Sequence, residues 1–284
     1  MVVSAISAVV YFQDGPTSRK LDAAIKKGNL LGPPGDNAYE LYHELKRRGT
    51  NAVSLARLDE ELLPRITPAP LQLLKDFASA GGKEPSLSDW EEAQKLLTWA
   101  SEIKPSDASL AARVSYCTGR IAYIVNRKDE ALDWWKRADS QDKSWAVPTN
   151  GVGLIYNERR DYGTARSYLY EAIRRDPSWA LPYNNVGTSF FYERDYAHAE
   201  SYYRQAAARA VNWGRPHFWL GDIAMHNRDY ARAAQEYEIG LSFTEPGTTS
   251  IDLARVREKL EHAREMEAAR RPASDGWGTN RFIK

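Results

Sequence analysis

Apolar positions fall at helical spacing along most of the chain. Ala38, Leu41, Tyr42 and Leu45 recur at intervals of three and four, which places them on one face of a helix predicted over Asn37 to Arg48. A second amphipathic stretch runs from Ala52 to Leu63 and a third from Leu71 to Ala80. Gly32-Pro33-Pro34-Gly35 makes a rigid turn before the first, and Pro64, Pro68 and Pro70 are expected to break the chain between the second and third. Trp90, Ala93, Leu97 and Ala100, followed by Pro105, mark a further helix over 88–105. Residues 18–105 therefore read as helical hairpins.

Further along, the pattern repeats on a longer scale. Gly119, Gly153, Gly187 and Gly221 stand 34 residues apart. Ala131, Ala165, Ala199 and Ala233 keep the same interval, and so do Trp135, Leu169, Tyr203 and Tyr237, and then Ala138, Ala172, Ala206 and Gly240. Each unit predicts two antiparallel helices. A bulky side chain at their crossing would hold the axes about 8–10 Å apart or more. A glycine on the first helix and an alanine on the second remove that bulk. Asp161, Asp195 and Asp229 precede each second helix, where a carboxylate can accept from the free N–H groups of the first turn. Pro148, Pro182 and Pro216 fall in the first turn of each first helix, where no N–H partner is lost. Trp145, Trp179 and Trp213 share the interval and are expected to pack between units.

These positions carry a resemblance to the tetratricopeptide repeat (TPR) family. Its pattern of an apolar residue and Gly, an aromatic, then Ala and a large residue four on, is met by Val186-Gly187, Phe190, Ala199 and Tyr203, and by Val152-Gly153, Tyr156, Ala165, Leu169 and the closing Pro177. The match is firm over about residues 112–246. The first unit departs from it, with Thr118 before its glycine, Ala122 in place of an aromatic, and Asn126-Arg127-Lys128 in place of the Asp-Tyr pair. The resemblance implies an all-α, right-handed superhelical solenoid of antiparallel helix pairs. The expected organisation is an apolar segment over 1–17, degenerate hairpins over 18–105, four repeats over 106–246, a capping helix over 247–271 and a loose tail over 272–284. Thr249-x-x-Asp252 resembles a capping box for that last helix, and Arg255, Arg257, Lys259, Glu261 and Arg264 are expected to give it a wet outer face.

In this family the first helices line a concave groove. Carried over by position, the groove would be lined by Arg113, Tyr116, Arg120 and Tyr123 in the first unit and by Asn150, Leu154 and Asn157 in the second. The third would add Asn184, Thr188 and Phe191, and the fourth Arg215, Phe218, Asp222 and Met225. Asn offers both a donor and an acceptor to an extended main chain, Tyr and Phe give flat apolar contact, and Arg can fork onto carboxylates. The expected partner is another protein or peptide segment with some acidic character. The set needed by the family's carboxylate clamp for chaperone tails is incomplete here.

Composition narrows the chemistry. The formal net charge is +1, with 39 basic and 38 acidic residues, so no field gathers nucleic acid, and Lys46-Arg47-Arg48 sits at a helix end where the dipole favours cations. The single cysteine, Cys117, cannot form an internal disulfide and reads as an inert buried thiol. There is no phosphate loop, no His-Glu-x-x-His and no Cys pair, and His217 and His226 lie nine residues apart on different faces of a helix. The expectation is a non-catalytic scaffold without metal or cofactor. The alternative is the recognition part of a bacterial membrane-linked signalling enzyme whose catalytic domain lies elsewhere. The apolar run Met1 to Phe12 is short of the ~20 residues a bilayer span needs, and reads either as a buried or frayed segment or as the last part of a membrane anchor. Lys20 to Leu45 loosely resembles the region that joins a membrane helix to a repeat array. The chain is accordingly placed either in the cytoplasm or on a bacterial membrane through that segment, and self-association is a further option.

Overall fold

The computed structural model describes residues 15–81, 84–244 and 252–270, and among these every regular element is a helix. The apolar run at the start, Thr249 and the tail from Pro272 lie outside the described residues. No described helix is long and apolar enough to cross a membrane. The chain divides into two compact units, Met1–Lys75 with Pro85–Lys143, and Asp76–Glu84 with Ser144–Lys284.

The first unit opens with α1 (Gly15–Lys26), α2 (Ala38–Arg47) and α3 (Ala52–Ile66), followed by the start of α4 (Pro68–Ala78), and continues in α5 (Leu87–Ile103), α6 (Ala108–Ile124) and α7 (Lys128–Gln141). Asn37 fixes the entry to α2. Its side chain accepts from the Glu40 N–H and donates to the Gly32 and Pro33 carbonyls, so one residue both caps a helix and clamps the preceding turn. Ser86 and Asp89 form a reciprocal capping box on α5. Pro64 does not end the second helix as expected. It sits inside α3, two residues before the end, where the chain forfeits one backbone bond while Leu62 and Ile66 stay fully buried. The break falls at Thr67, and Pro68 then opens α4 at a position that needs no N–H partner. Trp90, Leu97, Trp99 and Ala100 of α5 are the fully buried centre of this unit. At 17 residues, α6 is longer than the 13-residue first helices of the later repeats.

The second unit contains three helix pairs, α8 (Ala146–Glu158) with α9 (Tyr162–Arg175), α10 (Ala180–Tyr192) with α11 (Tyr196–Arg209), and α12 (Gly214–His226) with α13 (Tyr230–Ser242), then α14 (Leu253–Arg270). In the first unit α6 and α7 form a helix pair of the same kind. The crossing geometry follows the small residues. A Cβ on Gly153 would lie 2.7 Å from the Leu169 side chain and 3.2 Å from the Ala165 carbonyl oxygen, and one on Gly187 would lie 2.8 Å from the Tyr203 ring. Asp161, Asp195 and Asp229 each accept from the N–H three residues on, whereas Arg127 makes no side-chain cap. Each turn inside a repeat places a non-glycine residue in the left-handed region: Asn126, Arg160, Arg194 and Arg228, with φ of 59–65°.

Two features depart from the sequence expectation. Trp213 is buried with Ala180, Tyr183 and Ala206, but the Trp179 indole donates to the Ala78 carbonyl (2.6 Å), so its partner lies outside the repeats. The capping helix starts behind Asp252, which accepts from the Ala254 and Arg255 N–H groups. Its Val256, Leu260 and Ala263 are buried against Phe218 and Tyr237. Lys259 does not join the wet face. It turns inward and donates to both carboxylate oxygens of Asp222 (2.6 and 2.7 Å).

Candidate protein-binding face

The residues expected to line a groove divide into three groups once their neighbours are known. In the first unit Tyr116 is buried, with its ring 5.8 Å from Trp135. Arg120 is also buried, its guanidinium over the rings of Trp90 and Tyr123 at 5.4 and 5.3 Å. Arg113 pairs with Asp142. In the second unit burial draws the Arg215 pKa down, and the charge of Glu84 pulls it back up. All three arginines are thus engaged within their own unit, which withdraws the reason for expecting an acidic partner on this face.

The second group is the asparagines, which work as ties between consecutive first helices. Asn157 of α8 donates to the Asn185 carbonyl (2.9 Å) and accepts from the Ser189 hydroxyl (2.6 Å). Asn185 in turn donates to the Asn150 side-chain oxygen (2.9 Å). Asn150, Asn157 and Asn184 are all buried; the bonds made by Asn150 and Asn157 fix the spacing of α8 and α10 before they could meet a ligand, whereas Asn184 donates to its neighbour Asn185 (3.5 Å). The half-buried Thr188 hydroxyl donates to the Asn184 carbonyl and accepts from Tyr203. Asn185 was missed from sequence because it lies 35 residues after Asn150, one position out of phase.

The third group decides what stays open. In the fourth repeat, Phe218 is packed into the core against Gly240, Asp222 is held by Lys259 and Tyr237, and Met225 packs on the cluster that includes the capping helix. These three are taken up by closure of the array, correcting the expectation that they line an open face. In the second and third repeats the same face keeps Leu154 and Phe191 half-buried, and Tyr192 is 56% exposed. Phe191 lies 4.9 Å from Trp219, and Tyr192 stacks on Tyr162 at 6.3 Å. Tyr192 was not singled out from sequence. Its register holds Glu158 and His226 in the neighbouring repeats, and an aromatic where its equivalents are polar was the available signal.

Among the described residues no set of three His, Cys, Asp or Glu side chains converges as a metal site. Cys117 is fully buried, and desolvation pushes its thiol up to about 12, so it stays protonated and inert. His217 pairs with Glu236 (2.8 Å), while His226 lies against Tyr196.

Helix pairs that cross on Gly and Ala, repeat in phase and end on a covering helix define a helical-repeat scaffold. A tetratricopeptide repeat family model matches residues 187–242, from the glycine of the third repeat to the end of α13. No curated protein sequence matches the chain. Solved structures similar to it include the Pseudomonas aeruginosa pilF protein, at 19% identity and a TM-score of 0.52, over 74% of this chain and 91% of that one. A thermophilic TPR protein of Thermus thermophilus is similar at 16% identity and 0.51, over 72% and 99%. The C-terminal part of a TPR repeat-containing protein from Cytophaga hutchinsonii gives 16% and 0.51, over 88% and 86%. At these identities the likeness is one of fold. A TPR array of this kind supports a protein-interaction scaffold.

Proposed function

We propose that the chain is a non-catalytic scaffold that holds a protein or peptide segment on the first-helix face of its second and third repeats. Tyr192 carries this reading. A tyrosine 56% exposed at the end of α10 offers a large flat surface at small entropic cost. Leu154, Phe191 and Tyr192 share a face by helical spacing, one, four and five residues after their repeat glycines. Beneath them the Asn150–Asn185–Asn157–Ser189 ties hold α8 and α10 in fixed register, so the face is preorganised and little entropy is lost on binding.

Photo-crosslinking tests the proposal. A benzophenone amino acid is placed at Tyr192 and, separately, at Tyr170 on α9, which is 41% exposed but on a second helix. Expression in the native host should give discrete protein adducts from position 192 and none from 170, and Leu154→Ser should weaken them several-fold with helical content unchanged. Equal adducts from both positions, or none from 192, would defeat the assignment of this face.

A further inference from the structure

The turns inside the repeats carry charge that the fold does not use. Arg160, Arg194 and Arg228 hold the same place in the second, third and fourth repeats, with φ of 62, 65 and 59°. The backbone of the three turns is the same. Each arginine N–H donates to the carbonyl three residues back at 3.0 Å, and the next N–H, of Asp161, Asp195 and Asp229, donates to the carbonyl five residues back at 2.9–3.0 Å. Equal turns send their Cα–Cβ bonds out in equal directions, so the three side chains leave one edge of the array. All three are exposed, and among the described residues no carboxylate holds them. The acids beside them are engaged elsewhere. Asp161, Asp195 and Asp229 accept from first-turn N–H groups, and Glu193 is gripped by both arms of Arg166. Glycine would adopt this backbone without strain, yet arginine stands there three times. Conformation does not select the residue, and its charge is what remains.

The covering helix lengthens the row. α14 ends at Arg270, whose guanidinium donates to the Arg228 carbonyl (2.5 Å) and lies 4.8 Å from the Tyr230 ring. An element outside the repeats thus brings a fourth cation to the same edge. Aromatic surface runs beside it. The exposed Tyr192, two residues before Arg194, stacks on Tyr162, two residues after Arg160. Consecutive first helices touch, α8 with α10 through the asparagine ties and α10 with α12 through Phe191 and Trp219 (4.9 Å). Contact of that kind spaces the turns by about 8–10 Å.

We infer that this turn edge sets the chemistry of the partner: a proline-rich protein segment in the polyproline II conformation, with a carboxylate at every third residue. The inference rests on the scaffold reading above and lays that segment across the exposed end of α10. A polyproline II helix rises about 3.1 Å per residue and repeats every three, so carboxylates three apart share a side at about 9 Å, the interval of the turns. A β-strand repeats its face at about 7 Å and falls out of step. The intervening prolines meet the rings of Tyr192 and Tyr162, and so stiff a segment has little entropy to lose. A nucleic acid strand carries a charge about every 3.4 Å, which would set phosphates against Asp161, Asp195 and Asp229 as well as against the arginines.

The test uses the full chain and a fluorescein-labelled (Glu-Pro-Pro)4 peptide, read by anisotropy. Wild type should bind it at least tenfold more tightly than a peptide of the same composition with its four glutamates at every second position. Arg160→Gly, Arg194→Gly and Arg228→Gly together keep the turn backbone and should lower the affinity at least tenfold at unchanged helical content. Lysine at the same three positions should restore most of it. No binding by wild type, equal binding of the two peptides, or unchanged affinity in the glycine variant would overturn the inference. So would arginine-dependent binding of poly(dT), or of phosphatidylcholine vesicles containing phosphatidylserine, in place of the peptide. Crosslinking separates this inference from the reading it rests on. Adducts from position 192 that persist undiminished in the glycine variant would leave the scaffold standing and remove the acidic segment.

Discussion

In the third repeat, α10 ends with Phe191 half-buried and Tyr192 exposed. In the fourth, the same registers hold Met225 and His226, Met225 lies on the cluster made with the capping helix, and Asp222 one turn earlier is bound by Lys259. Both repeats cross on a glycine and an alanine, both cap their second helix with Asp, and both turn through an arginine of positive φ. The backbone is common to the two, so the difference lies in what arrives next along the chain. A repeat followed by another repeat keeps its first-helix face free, whereas the terminal one must spend part of its face on closure.

The strongest test of the shared template is at the crossings. Gly187→Val and Gly221→Val would each drive a side chain into a ring that already stands 2.8 or 2.5 Å from the new Cβ. Each should cost about 3 kcal/mol in denaturant unfolding, at the upper end of overpacking effects. Gly163→Ala, on α9 with nothing within 4 Å of its Cβ, should be neutral or slightly stabilising by helix propensity. A crossing glycine that tolerates valine in one repeat and not the other would break the equivalence.

Closure is tested one step lower in magnitude. Leu260 of α14 is 6% exposed and packs on the core of the fourth repeat. Leu260→Ala should lose about 2–3 kcal/mol. Because repeat stability passes mainly between neighbours, amide exchange should quicken first in α12 and α13, with α8 and α9 affected least. Uniform loss of protection across all the pairs would mean that the array melts as a block.

The contrast also marks what the sequence made legible. Gly187 against Tyr203 and Asp195 against the His198 N–H are contacts over 16 and 3 residues, repeated in phase, and periodicity is enough to find them. Trp179 to Ala78 and Asp222 to Lys259 join residues of different periods, 101 and 37 apart, and no repeat rule reaches them. The face itself was half legible. The sequence shows only that Asn184 and Phe218 fall in its registers, and burial depends on neighbours from other helices. Pro64 misled because a proline near the end of a helix costs a single bond, which the burial of Leu62 and Ile66 outweighs.

A smaller effect separates the second repeat from its successors. Glu171 accepts from Arg174 and then Arg175, and these hold its carboxyl down to about 2. The corresponding registers hold Gln205 and Ile239, so only the second repeat carries this acid-sensitive pair. A depressed carboxyl stabilises the fold above its unfolded value of 4.5, and that stabilisation is lost as pH falls from there towards 2. The group is partly solvated, so the loss should be under ~1 kcal/mol. Glu171→Gln should flatten that part of the stability curve, and an unchanged slope between pH 4.5 and 2 would assign the sensitivity to other carboxylates.

The least perturbing change addresses the turns. Arg160, Arg194 and Arg228 adopt φ of 62, 65 and 59°, a region that crowds any Cβ against the following carbonyl and costs an L-residue about 1 kcal/mol. Glycine removes that strain but gives the unfolded chain more freedom, so each Arg→Gly change should gain only about 0.5 kcal/mol. The gain should be the same at 194 and at 228, since the turn is local and neither the exposed aromatic of one repeat nor the covering helix of the other acts on φ. The Arg228 carbonyl accepts from Arg270, and this bond survives the substitution because it uses the main chain. A stabilisation at 194 matched by a loss at 228 would show that the covering helix reaches the turn as well as the face, and the two repeats would then differ in their backbones and not in their neighbours alone.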